Sequence, residues 1–152
     1  MLLNEKDLIR HVRILGNSYR HWTGRHLLDP AVDGEEAVTA LNQAPYAVVS
    51  HGTEADPIFN YANCTALQLF EMTWADFTAL PSRLSAEPLV QEERDRLLLR
   101  VSTQGYIDDY SGVRISSTGK RFLIRNATVW NLLDEMGQPY GQAALLREWQ
   151  KI

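Results

Sequence analysis

Residues 106–149 read YIDDYSGVRISSTGKRFLIRNATVWNLLDEMGQPYGQAALLREW. Three runs within this stretch, 106–116, 121–133 and 139–149, are rich in β-branched, aromatic and aliphatic residues and predict three long strands. Ser117-Thr118-Gly119 and Glu135-Met136-Gly137 supply the turns between them, with glycine where a positive φ is cheapest. Long strands joined by loops this short must pair antiparallel, because a parallel pair needs a much longer crossover. The last third of the chain is therefore a meander.

Upstream, 46–51 (YAVVSH) and 58–62 (IFNYA) are short, apolar and β-branched, and predict two further strands around a turn from Gly52 to Pro57. Asn63 suits the cap of a helix reaching about Met72, with Ala66, Leu67 and Phe70 facing inward. Residues 74–80 predict another helical turn or two before Pro81, and 82–87 a connection. Pro88 then sits well at the first position of a longer helix that runs to about Thr103. That helix turns Val90, Leu97 and Val101 inward and carries Glu92, Glu93, Asp95, Arg96 and Arg100 outside. At the N-terminus, Leu8, Val12, Leu15, Tyr19 and Trp22 recur at alternating spacings of four and three, one stripe of a helix capped by Asn4 and loosened by Gly24. A short second helix over 35–43 stops before Pro45, since the residue before proline avoids the helical basin.

The chain has 152 residues, 45% hydrophobic and 22% charged, which suits one ordinary domain rather than two. Fifteen Lys and Arg against nineteen Asp and Glu leave a net charge of −4, which argues against non-specific binding to nucleic acid or anionic lipid. A single cysteine, Cys64, cannot form an internal disulfide, so a reducing, cytoplasmic setting is expected, with the thiol packed in the core. Apolar runs such as Leu97-Leu98-Leu99 are far too short to span a membrane. The first twenty residues interleave charges with the apolar positions and do not read as a signal peptide.

Two strands, a cluster of short helices, a longer helix and three antiparallel strands is the element order of a PAS domain. The local sequence is more specific. Residues 45–63 (PYAVVSHGTEADPIFNYAN), then Ala66-Leu67, Leu69-Phe70-Glu71, Trp74 and 80–88 (LPSRLSAEP), closely resemble the MEKHLA family, a PAS-like domain. Ser18-Tyr19-Arg20, Thr23-Gly24-Arg25 and Leu27 resemble the family's leading segment. Tyr110 to Ser116, Gly119, Phe122, Val129-Trp130 and 141–144 (GQAA) resemble its strands. The hexapeptide that gives the family its name is absent, as are a homeodomain and a zipper, so the resemblance is to the stand-alone bacterial type. It implies an α+β fold: a five-stranded antiparallel PAS-like sheet with helices on one side, residues 45–152, preceded by an N-terminal helical extension, residues 1–44.

The candidates for chemistry are few. An Asn63-Cys64 pair is reminiscent of flavin photoreceptors, but here it opens the first helix after the second strand and the glutamine-rich flavin contacts are unmatched. Haem would call for a histidine in 88–103, which holds none. Flavin and haem are thus set aside and any cofactor is left unnamed. His51 with Glu54 and Asp56 reads as a polar turn rather than a metal site. Ser50 and His51 are adjacent on a strand and point to opposite faces, so they make no catalytic pair.

A pocket between sheet and helices would draw on Tyr61, Trp74, Tyr110 and Trp130 as aromatic walls, and on Arg83, Arg114 and Arg125 for an anion or polar ring. The plainer alternative puts these arginines outside or against Asp108, Asp109 or Glu87, and the aromatics in the core. The stripe Leu8, Val12, Leu15, Tyr19 and Trp22 is expected to serve a homodimer, or else to cap the sheet. The expected function is a non-catalytic sensory or regulatory domain, binding a small ligand or a protein partner and signalling through dimerisation. The competing classes are a small enzyme, with Arg83 or Arg114 orienting an anionic substrate and His51 as base, and a ligand-free dimerisation module.

Overall fold

The computed structural model describes residues 4–86 and 88–152, with the side chains of 88–91 and 94 outside that description. The expected inward turn of Val90 and the pairing of Glu87 therefore lie outside the described residues. Along the chain run α1 (Glu5–Thr23), α2 (Gly34–Asn42), β1 (Ala47–His51), β2 (Phe59–Ala62), α3 (Cys64–Phe70), α4 (Trp74–Phe77), a 3-10 turn (Ser82–Ser85), α5 (Pro88–Gln104), β3 (Tyr106–Ile115), β4 (Arg121–Leu133), β5 (Pro139–Leu146) and β6 (Glu148–Lys151). All strand pairs are antiparallel, and five strands lie in the order β2-β1-β5-β4-β3.

One expectation changes here. The third run of the meander breaks at Arg147, and its last residues form β6, which pairs with Phe122–Arg125 of β4. The cause is local to β4. Asn126 takes a left-handed φ of 53°, so the strand bends there. β5 matches β4 from Thr128 onward, and a separate segment is needed beyond the bend.

Both faces of the sheet are covered. On one face, Val48, Trp130, Leu132 and Leu145 pack against Val12, Ile14, Leu15 and Tyr19 of α1 and Leu41 of α2. Trp130 is fully buried and donates from Nε1 to the carbonyl of Leu15 at 3.3 Å. Ser18 Oγ accepts from the amide of Leu133 at 2.9 Å, and Trp22 Nε1 donates to the Asn131 carbonyl at 3.0 Å. The Trp22 ring lies against Gly105, where a Cβ would fall 2.5 Å from the ring and where φ is +92°. Only glycine fits there. The α1 stripe of Leu8, Val12, Leu15, Tyr19 and Trp22, expected to face a second copy, is thus covered by the chain's own sheet. The alternative of a cap on the sheet is the one the fold adopts.

The opposite face carries α3, α4 and α5. Ala47, Val49, Phe59, Phe122, Ile124 and Leu146 meet Ala66, Phe70 and Phe77, while Ile107 and Val129 meet Leu97 and Val101. Glu71, in a left-handed conformation at the end of α3, accepts from Thr118, from Lys120 Nζ at 2.9 Å and from Ser116 Oγ at 2.7 Å. These partners hold its carboxyl well below the usual range, at about 2, and fasten the β3–β4 turn to α3.

Cys64 is not in the core. It is exposed at the first position of α3, because the residue before it takes the inward place. Asn63 is fully buried; its Oδ1 accepts from Ala66 N and Val48 N, and its Nδ2 donates to the carbonyls of Leu41 and Tyr46. With Asn63 and Ala66 turned inward, the roughly 100° advance per helical residue sends Cys64 outward.

Two outcomes test this packing. Leu15→Ala should lower unfolding stability in urea by about 2–5 kcal/mol, the range for a buried leucine, while Leu99→Ala on the exposed side of α5 should stay within about 0.5 kcal/mol. Native Cys64 should react with a thiol-specific disulfide reagent at nearly the rate of the urea-unfolded chain. Strong protection of the thiol would contradict the exposed position.

Candidate functional site

Between the inner sheet face and the helices lies a cavity of about 70 Å³. Val49, Phe59, Phe70, Leu97, Ile124, Val129 and Leu146 give it apolar walls, and Ser50, His51, Tyr110, Arg114, Ser82, Ser85 and Gln142 bring polar residues to it. Tyr110 reaches this face because β3 is irregular. Ile107 pairs with Val129 and Tyr110 with Ala127, with register shifts on either side of Tyr110. Strict alternation would have placed Ile107 and Tyr110 on opposite faces; the bulge puts both inside. Arg114 pairs with Phe122, another inward position, and so follows Tyr110 into the cavity.

Gly112 stands between them. A Cβ there would collide with the Tyr110 hydroxyl, so the absence of a side chain lets the ring fold back along the strand. The Arg114 guanidinium then lies 5.2 Å from the centre of the Tyr110 ring, a cation–π contact. Nη1 also donates to the Val113 carbonyl at 3.2 Å. Burial draws the Arg114 pKa below the ordinary arginine value, opposed by the Tyr110 hydroxyl, and the group stays charged at any working pH. No carboxylate among the described residues pairs with it. Asp109 instead meets Arg100 at 3.5 Å, and Asp56 meets Arg83.

The other five residues expected at the pocket lie elsewhere. Tyr61 and Trp74 belong to the α1 side of the sheet, with ring centres 5.7 Å apart and edge-on. Trp130 is on that side too, edge-on to Tyr19. Tyr61 faces that way because its register partner is Ser50, whereas Phe59 pairs with His51 across an irregularity at Asn60. Arg83 is at the surface, with Nε donating to both oxygens of Asp56 at 3.1 and 3.2 Å. Arg125 is exposed opposite Glu148 in the β4–β6 register. Sequence reasoning missed Leu97, Leu98 and Ser85 as cavity walls. Only the inward stripe of α5 signalled the first of these.

A second buried polar group went unread. His11 on α1 is 2% exposed and sits against the sheet, with Nε2 2.9 Å from Ser50 Oγ and Nδ1 3.4 Å from Tyr140 Oη. Ser50 donates its own proton to Asn60 Oδ1 at 2.5 Å, so it must accept from His11 Nε2–H. Tyr140 then donates to Nδ1, and the neutral imidazole is satisfied at both nitrogens. The Tyr61 ring stacks on His11, and its hydroxyl is buried without a partner among the described residues. Burial pushes the Tyr61 pKa up and, aided by the charge of Arg10, pulls that of His11 down to about 4.

The profile of the MEKHLA domain matches residues 9–151. This chain belongs to the MEKHLA domain family. Among similar curated proteins is the homeobox-leucine zipper protein HOX32 of Oryza sativa subsp. japonica, 26% identical over 145 residues, covering 92% of this chain and 16% of that protein. Another is the homeobox-leucine zipper protein ATHB-14 of Arabidopsis thaliana, 29% identical over 148 residues, covering 93% of this chain and 17% of that protein. The MEKHLA chain thus spans only 16% to 17% of the length of these relatives.

Solved structures place the fold among PAS domains. The PAS domain of a protein from Colwellia psychrerythraea aligns with a TM-score of 0.63 at 16% identity, over 75% of this chain and 94% of that one. An RNA-binding light-oxygen-voltage receptor gives 0.65 at 15% identity, over 80% of this chain and 35% of that one. The light-state dimer of the fungal blue-light photoreceptor Vivid gives 0.55 at 15% identity, over 68% and 77%. The residues here do not suit a flavin held beside a reactive cysteine. Cys64 faces solvent, no cysteine lines the cavity, and the cavity is small for a fused three-ring system. Among the described residues no group of three His, Cys, Asp or Glu is placed to hold a metal, and no helix is long and apolar enough to cross a membrane.

The His11 contact predicts an acid sensitivity. A histidine whose folded pKa is depressed contributes stability that is full above its unfolded value of 6.5 and is lost as pH falls toward about 4. The native chain should therefore lose about 2 kcal/mol of unfolding stability between pH 7 and pH 5 from this group. Urea titrations at both pH values should show that loss, and His11→Gln should flatten it; an unchanged slope in the variant would refute the assignment.

Proposed function

We propose that this MEKHLA domain is a non-catalytic sensory or regulatory domain of the cytoplasm that takes a small ligand into the cavity between the sheet and α5. The observation that carries this reading is the cavity itself, an apolar chamber reached by one charged side chain, Arg114, that finds no carboxylate among the described residues. Arg114 is half-buried, and a cation drawn part-way out of water into apolar surroundings is costly unless something compensates it, as a ligand can. The PAS-type fold of the solved neighbours supports a sensory role, and the light-state dimer formed by one of them supports an output through self-association.

Transmission would be a shift of population rather than chemistry. Leu97 and Leu98 of α5 line the cavity, so occupancy changes how closely α5 lies on the sheet. Through Asn131, which donates from Nδ2 to the Val101 carbonyl at 2.8 Å and accepts from Trp22 through its own carbonyl, α5 is linked to α1 on the far face. A second copy or a partner protein would read that arrangement on surfaces other than the buried α1 stripe.

The test uses the full chain. Native mass spectrometry and thermal denaturation against a small-molecule library should find a ligand that binds the wild-type protein. Ala144→Leu, which fills the cavity from β5, should weaken that binding at least tenfold while leaving the circular dichroism spectrum unchanged. Binding that is indifferent to Ala144→Leu, or the absence of any binding compound, would overturn the reading. Light scattering with and without the ligand then reports whether self-association follows.

A further inference from the structure

The cavity's chemistry narrows what it can hold, and the narrowing rests on the ligand-binding reading above. We infer that the ligand is a small monocarboxylate with an apolar body, its carboxylate on the Arg114 guanidinium and its hydrocarbon part against Val49, Phe59, Phe70, Leu97, Ile124 and Leu146.

Three observations lead there. First, the walls are mostly apolar, and among the lining residues Arg114 is the one side chain with a permanent charge, beside the ionisable imidazole of His51. One cation neutralises one negative charge; a dianion would leave a second charge against hydrocarbon. Second, no carboxylate among the described residues pairs with Arg114, and none lines the cavity. Asp109 is held by Arg100, Asp56 by Arg83, and Glu71 by Lys120, Thr118 and Ser116, so Arg114 is not neutralised by the described residues. Third, the guanidinium is oriented. The Tyr110 ring lies under it and Nη1 is committed to the Val113 carbonyl, which fixes the plane of the fork. A fixed guanidinium fork matches the two oxygens of a carboxylate, and a fork already ordered loses little freedom on binding.

Size sets the rest. A volume of about 70 Å³ is roughly half that of a cavity that holds benzene, so it takes about two waters, or a hydrocarbon body of about three or four carbons whose carboxylate lies on Arg114. Short linear and branched aliphatic acids fall in that range; aromatic acids, acyl chains of fatty-acid length and nucleotides do not.

Isothermal titration of the full chain at pH 7 with butyrate, isobutyrate and isovalerate, each beside its primary amide, separates charge from shape. At least one acid should bind, and at least tenfold more tightly than its amide. Arg114→Gln should abolish that preference, and Arg114→Lys should keep part of it. Should Arg114→Gln fail to fold, the acid-to-amide ratio in the wild-type protein still decides. Amides that bind as well as acids, or succinate or inorganic phosphate binding more tightly than any monocarboxylate, would overturn the inference and leave the ligand-binding cavity standing. If neither acids nor amides bind, this inference fails; only the absence of every ligand in the library experiment removes the broader reading.

Discussion

Strand β4 is apolar on both sides, and the architecture follows from that requirement. Trp130 and Leu132 point one way, Phe122, Ile124 and Val129 the other, and all are buried. A sheet with one wet face needs one helical layer; a sheet with an interior strand that is apolar toward both faces needs two. The N-terminal helices are therefore part of the same core as the strands, which agrees with a family match that begins at residue 9. This also explains the docking of α1 stripe-inward. Burying Leu15, Val12 and Tyr19 on its own sheet needs no second chain, and the indole of Trp130 reaches the Leu15 carbonyl only in that arrangement.

Once the two layers are in place, irregularities in the strands decide which side chains face which layer. The bulges around Tyr110 and at Asn60, and the bend at Asn126, each reset the alternation. The first delivers Tyr110 and Arg114 to the cavity. The second separates Phe59, which lines that cavity, from Tyr61, which stacks on His11 across the sheet. A polar chain from Tyr140 through His11 and Ser50 to Asn60 then ties α1 to three strands, with each donor matched to an acceptor. Such a chain favours neutral histidine, so the docking of α1 and the proton concentration are thermodynamically linked.

The legibility of the sequence follows the range of the interaction concerned. Caps and turns were readable because they are local: Asn4 and Asn63 accept from amides three residues on, and Gly119 and Gly137 take positive φ in the turns where they were expected. The inward residues of α3 and α5 followed from helical period. The pocket was read less well. Arg114 and Tyr110 were placed in it, but Tyr61, Trp74 and Trp130 were not separable from them by residue type, since an aromatic suits a core as well as a ligand wall. Cys64 shows the same limit. Its neighbour Asn63 is more polar, yet Asn63 is the buried one, because four backbone groups from three segments converge on it.

By itself, the sequence determined the element order, the antiparallel meander, the helix caps and the membership of a family. Each of these rests on neighbours in the chain or on a motif carried whole within it. Tertiary structure decided which face each strand residue occupies, that α1 covers its own sheet, that His11 meets Ser50, and that Arg114 stands in an apolar cavity without a described counter-charge. The physical reason is the two-residue period of a strand. One bulge reverses every side chain beyond it, and nothing in the local sequence announces a bulge until the partner strands and covering helices are in place.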